Sequence, residues 1–244
     1  MNRTSLIVIG ALAFVCALSA RADEPTRTLK ADMPASGLRV VSLVAGVGEV
    51  RIEPSHDGAV HVAVTLKPKE HGMWVIKWHS GMDEIKKATL NKDIDDGVLR
   101  LSLSVPNADD DDDSDFKQEW HVRMPAALTL KSRVNVGEVR IDGIAGGVTA
   151  RTKVGEMHIH VPKGSVKARV KVGELDVTTG ATAYRDLTLD SSIGDVNIDG
   201  IDLPESARGQ SGMGKHVSLK GHGTDDFDLS CEIGEVNLGF GEQP

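Results

Sequence analysis

The chain has 244 residues, with 36 Asp and Glu against 28 Lys and Arg, for a net charge of -8. A hydrophobic content of 40% excludes a disordered chain, the acidic balance argues against a general nucleic-acid binder, and two cysteines are too few for a disulfide scaffold or a thiolate zinc site. Residues 1–22 read as a secretory signal peptide: Arg3 supplies the positive start, Leu6 to Leu18 is an uncharged apolar run, and Ala20-Arg21-Ala22 is a small-residue cleavage site. The rival reading is a membrane anchor, but the run is shorter than the roughly 20 apolar residues a span prefers. Cys16 lies in this run behind Phe14-Val15, a poor setting for lipidation. Cleavage removes Arg3 and Arg21, takes the charge from -8 to -10 and leaves Cys231 as the one cysteine. The expected product is exported, periplasmic or at the cell surface, with no further transmembrane span.

Residues 23–38 form a lead segment, and the folded region is expected over 39–240. Within 53–126 the pattern is irregular. Alternating strands show at Val60, Val62, Val64 and Leu66, at Leu99, Leu101, Leu103 and Val105, and at Trp120, Val122 and Met124. Trp74, Ile76 and Trp78 also alternate, and Met82 to Lys92 is read as a short helix. This part is either a set of degenerate repeats or an antiparallel cap, with its three tryptophans as cap core or a sugar-stacking platform. The Asp-rich loop 107–117 contains the run Asp109 to Asp115, a solvated loop by default and a divalent-cation binder by alternative.

From 127 to 240 a repeat dominates. Val-Gly-Glu-Val and its variants place glycines at Gly48, Gly137, Gly155, Gly173, Gly194, Gly214 and Gly234, with spacings of 18 to 21 after the first gap of 89. The apolar parity switches at six of these glycines, from Leu130 and Val134 to Val139 and Ile141 in the first unit, whereas at the degenerate copy around Gly214 the apolar pair Val217 and Leu219 comes one residue late and an insertion is expected. A strand that keeps one face buried needs a bend or bulge at such a switch, and glycine suits that backbone. The expected fold is all-β, a parallel β-solenoid of units about 18–21 residues long, with an irregular N-terminal cap region. Stacking in sequence order gives three inward columns. The first is Val47, Val136, Val154, Val172, Ile193, Met213 and Ile233. The second is Val50, Val139, Met157, Leu175, Val196, Val217 and Val236. The third is Ala45, Val134, Thr152, Val170, Ser191, Ser211 and Cys231.

The repeated [VI]-G-[ED]-[VLM] motif, the signal peptide and the Asp-rich loop ahead of a Trp-containing strand resemble the bacterial exported family DUF4097, whose members are labelled adhesins. The resemblance covers about residues 39–240. It implies a β-solenoid and an exported location, and it implies no reaction and no catalytic residues.

Two outward surfaces are candidates for function. The residue after each glycine forms a column of Glu49, Glu138, Glu156, Glu174, Asp195, Lys215 and Glu235. It reads as an ion-pair surface with basic neighbours, and alternatively as a calcium ladder through Glu138, Glu156, Glu174 and Asp195, since hard cations take carboxylate oxygens. No cofactor is expected, with calcium the alternative at this column. Arg133, Arg151 and Arg169 share a second column, with Lys153 and Lys171 beside them. This basic patch suits an anionic polysaccharide or head group, or simply pairs with the glutamates. His158 and His160 flank Ile159, as surface histidines or as half of a zinc or copper site. Cys231 is read as packing. The expectation is a non-catalytic envelope protein binding surface polysaccharide or protein. The alternatives are a polysaccharide-active enzyme and a regulatory or structural partner of another envelope protein.

Overall fold

The computed structural model describes residues 26–69, 84–105, 116–202, 204, 208–211 and 213–241. The segment 1–22 expected to be a signal peptide, Trp74, Ile76, Trp78, Met82 and the run Asp109 to Asp115 lie outside these residues. The strands in chain order are β1 (Arg27–Pro34), β2 (Val40–Ser55), β3 (Ala59–Pro68), β4 (Thr89–Asp95), β5 (Val98–Ser104), β6 (Phe116–Pro125), β7 (Thr129–Asp142), β8 (Val148–Val161), β9 (Val166–Thr179), β10 (Asp186–Ile193), β11 (Val196–Asp199), β12 (Arg208–Ser211), β13 (Gly214–Lys220) and β14 (Asp226–Phe240). They form one open sheet along the path β1-β3-β6-β2-β7-β8-β9-β14-β10-β13-β12, with β11 on β14 and the pair β4–β5 on β2. Among the described residues, no helix is long and apolar enough to cross a membrane. Of the helix expected from Met82 to Lys92, the described residues contain one turn at 84–87, and the chain enters β4 two residues later.

The long strands β2, β7, β8, β9 and β14 each run through a repeat glycine, so each has a first arm before it and a second arm after it. Gly48, Gly137, Gly155, Gly173, Gly234 and Gly194 all have φ between 134° and 145°, a backbone that L side chains rarely adopt. A Cβ on Gly173 would strike the carbonyl of Gly155, and one on Gly234 would strike that of Gly173. A Cβ on Gly234 would also come 3.2 Å from the Sγ of buried Cys231. Glycine therefore holds the inward position, and the residue before it is turned outward, two successive outward positions as in a bulge. This corrects the first expected column. Val136, Val154, Val172, Ile193, Ile233 and Met213 are all exposed rather than interior. The parity count carried the first-arm alternation one residue too far.

The other two columns are largely buried as expected. Val50, Val139, Met157, Leu175, Val236 and Val217 are in the core, as are Ala45, Val134, Thr152, Val170, Ser191 and Cys231.

Sequence order does not give spatial order. β14 lies between β9 and β10, parallel to both, so Ile233 separates Val172 from Ile193. Gly214 is not part of the glycine column. It pairs with Ser211 in the antiparallel hairpin β12–β13, and β13 runs antiparallel to β10.

At the other end, residues 53–126 contribute both parallel and antiparallel strands. β5 pairs in parallel with the first arm of β2, and β6 with its second arm. Ser102 faces Val44 and Gln118 faces Gly48, so sixteen residues span here what four span in β2. β5 and β6 are thus a degenerate repeat with the Asp-rich segment inserted at the glycine position. β3 then adds antiparallel on β6, β1 antiparallel on β3, and β4 antiparallel on β5. The β4–β5 turn is Asp96-Gly97, both at positive φ, as a two-residue hairpin requires. Buried Trp120 is cap core, and its Nε1 donates to Gln118 Oε1 at 2.8 Å.

Candidate functional site

The first arms of β7, β8 and β9 alternate buried apolar or small residues with exposed basic ones. The sheet register aligns Arg133 with Arg151 and Arg151 with Arg169. Lys153 and Lys171 stand two residues further along their strands and are also exposed. All five line one open groove of ≈ 750 Å³. The far wall is not legible in the sequence, because β14 comes to lie beside β9. The arginine column continues through Ser230 to Asp190 and His216. Asp190, Asp228 and Glu232 give that wall the opposite charge.

The groove is only partly neutralised from within. Asp228 pairs with Lys167 and lies 4.0 Å from Arg169, and His216 Nδ1 is 3.4 Å from Asp190. Among the described residues no carboxylate is within ion-pair distance of Arg133, Arg151 or Lys171. The expected pairing of this patch with the glutamate column does not occur at these three. The glutamates find other partners: Glu138 pairs with Arg140, Glu156 lies 3.6 Å from His158, and Asp195 pairs with Lys215.

The acidic column itself is longer than the motif suggested. Glu119 of β6 aligns with Glu49, Glu49 with Glu138, Glu156 with Glu174, and Glu174 with Glu235. Asp195 comes beside Glu235 where β11 joins β14. Glu119, which pairs with Lys67 at 2.5 Å, lacks the glycine motif and could be found only through the β2–β6 pairing. Lys215 belongs to the hairpin and neutralises Asp195. Asp176, first of all, holds the Glu174 carboxyl above its ordinary value, followed by burial and by Glu235 and Glu156. Asn237 Nδ2 offsets part of this by donating to Asp176 Oδ1 at 2.7 Å and to Glu174 Oε1 at 3.2 Å. Among the described residues, no three His, Cys, Asp or Glu side chains converge as a metal site would require.

His158 and His160 lie on the outer face of the second arm and line a groove of ≈ 390 Å³ with Arg140, Asp142, Asp176 and Asn237. His158 Nδ1 is 3.0 Å from Asp176. Cys231 is buried, its Sγ donates to the Gly173 carbonyl at 3.4 Å, and burial pushes its thiol up, all in keeping with packing. One further cluster was not visible in the sequence: His61 holds Asp32 at 2.6 Å through Nδ1 and Asp57 at 2.7 Å through Nε2.

No protein-family model matches the sequence, and no curated protein matches it significantly. Solved structures do resemble it. One from Clostridium sporogenes, described as a "putative cell adhesion protein", has a TM-score of 0.55 at 12% identity and covers 88% of this chain and 99% of that one. A second, described as a "putative adhesin" from Bacteroides fragilis, is 13% identical, covers 87% of this chain and 97% of that one, and has a TM-score of 0.37. The first likeness shows a shared fold.

Proposed function

We propose that the chain is an exported, non-catalytic β-solenoid of the bacterial envelope or cell surface that binds an anionic polysaccharide along the Arg133–Arg151–Arg169 column. The observation that carries this reading is the groove in which these arginines, Lys153 and Lys171 meet, with Arg133, Arg151 and Lys171 left without an ion-pair partner among the described residues. Anionic polymers carry charge at regular intervals, and a column of guanidinium groups about 4.8 Å apart offers several bidentate donors to one chain. Envelope localisation rests on the signal peptide and the resemblance to DUF4097. The shared fold with a structure named for cell adhesion supports a binding role.

The solenoid reading has a geometric support. Fourteen-residue strands β7, β8 and β9 run parallel, joined by connections of only five residues (143–147) and four (162–165). A straight strand of that length spans about 46 Å, and five extended residues reach about 18 Å. A bend at each glycine would let the next strand begin beside it, which supports reading each unit as one turn of a coil.

The test incubates the purified chain with neutral and anionic envelope polysaccharides, with and without calcium, reading retention and chain cleavage together. Retention on the anionic polymers alone is expected, and Arg133→Glu with Arg151→Glu should lower it by at least tenfold. Cleavage would replace the binding reading by a hydrolase or lyase. Retention that requires calcium and survives the arginine changes would move the site to Glu138, Glu156, Glu174 and Asp195. No retention at all would favour a protein partner.

A further inference from the structure

The residues before the glycines form a continuous outward ridge. Val47, Val136, Val154, Val172, Ile233 and Ile193 are successive register partners on six strands. Five of them are 36% to 48% exposed, and Met213, 76% exposed, extends the ridge through its carbonyl, which accepts from Gly194 N at 3.3 Å. At about 4.8 Å per strand the six span about 24 Å. Single exposed aliphatics are ordinary, but an ordered row of them marks an interaction surface. The flanks of the row carry opposite charge. On one side run Lys153 and Lys171, and on the other Glu138, Glu156, Glu174 and Glu235.

We propose that this ridge is a self-complementary interface through which two copies of the chain associate. A two-fold axis parallel to the ridge turns one copy over while keeping β8 opposite β8 and β9 opposite β9. The aliphatic rows then meet, and the two flanks exchange sides. Lys153 faces the partner's Glu156 and Lys171 faces the partner's Glu174, each contact occurring twice by symmetry. An axis across the ridge would instead set glutamate against glutamate, so the charges select one arrangement. On β14 the corresponding residues are Glu232 and Glu235, of like charge, which centres the contact on β8 and β9. A charged bilayer fits less well, because it presents one sign of charge to both flanks. The strip is about 24 Å by 17 Å, roughly 800 Å² over both copies, at the size of a transient interface. The dimer is therefore weak, and it leaves Arg133, Arg151 and Arg169 on its margins.

Light scattering or sedimentation without polyanion tests this between about 1 µM and about 1 mM. The wild-type mass is expected to rise toward twice the monomer's. Lys153→Glu with Lys171→Glu should stay monomeric, and so should Glu156→Lys with Glu174→Lys. An equimolar mixture of the two variants should recover the dimer. These positions are on the surface, and unchanged circular dichroism will verify folding. If either charge variant misfolds, Val154→Ser with Val172→Ser serves in its place and should abolish the mass increase. A monomeric wild type across the range overturns the proposal, as does a dimer that both charge variants leave intact. Arg133→Glu with Arg151→Glu should keep the dimer while losing polysaccharide, so the two proposals fail separately.

Discussion

Gly173 shows most directly how a single position sets the backbone. Its φ of 139° and the neighbouring Gly155 carbonyl exclude any side chain. Gly173→Val is expected to cost about 3 kcal/mol or more, read as a fall in melting temperature. Gly58 also has positive φ, at 70°, but nothing lies within 4 Å of its absent Cβ, so Gly58→Ala should cost only about 1 kcal/mol. Two titrating residues have raised pKa values, so both make stability fall as pH rises, one by losing a favourable charge and the other by gaining an unfavourable one. Hydrogen bonds to Asp32 first, and then Asp57, raise the His61 pKa above its ordinary value of 6.5. Its contribution is fully present below the unfolded pKa and is lost as pH rises through the folded one. Melting of the wild type should thus weaken above pH 6.5 relative to His61→Gln. Glu174 is raised above 4.5 by Asp176, by burial and by its stacked neighbours, so its ionised form opposes folding at neutral pH. Glu174→Gln should gain about 0.5 kcal/mol or less at pH 7, and this gain should vanish below pH 4.5, where both folded and unfolded carboxyls are protonated.

At the scale of the strand, the parity switches at the glycines announced the break in each repeat, because a buried face cannot change sides silently. The side of the preceding valine was not legible. Parity gives alternation, whereas a bulge sets two successive residues on one side. The position of β14 was equally hidden: its Ile233-Gly234-Glu235-Val236 is interchangeable with the motif of any other unit, and period alone cannot order equivalent strands. The basic half of the groove was readable from Arg133, Arg151 and Arg169 at the 18-residue repeat, and its acidic half was not, since Asp228 and Glu232 reach it only through that insertion. The topology has a measurable consequence. β14 pairs with β9, β10 and β11, so a chain truncated after Asp225 loses the middle of its C-terminal half rather than its end. Amide hydrogen exchange should then show lost protection throughout β10 and β13. A stack in sequence order would lose only its last turn. Within the core, Leu175→Ala should cost about 2–5 kcal/mol, because truncating its fully buried side chain leaves a cavity.

The whole molecule carries a net charge of -8 around a groove whose near wall is basic, so a polyanion meets two fields of different range. At about 0.01 M salt the screening length is about 30 Å, comparable to the molecule, and the approaching polymer feels the repulsion of the entire chain. At about 0.1 M it is about 10 Å, which suppresses that repulsion while the contacts with Arg133, Arg151 and Arg169 persist. Near 1 M it is about 3 Å, and the contacts themselves are weakened. Retention of an anionic polysaccharide is therefore expected to pass through a maximum near 0.1 M salt. A basic groove on a cationic protein would show a steady fall instead, because both fields would then attract. A monotonic fall here would mean that the basic wall dominates at every distance and that the acidic wall of Asp190, Asp228 and Glu232 is already neutralised by its own ion pairs. Charge reversal at Arg133 and Arg151 should remove the maximum and leave only weak retention that grows with salt.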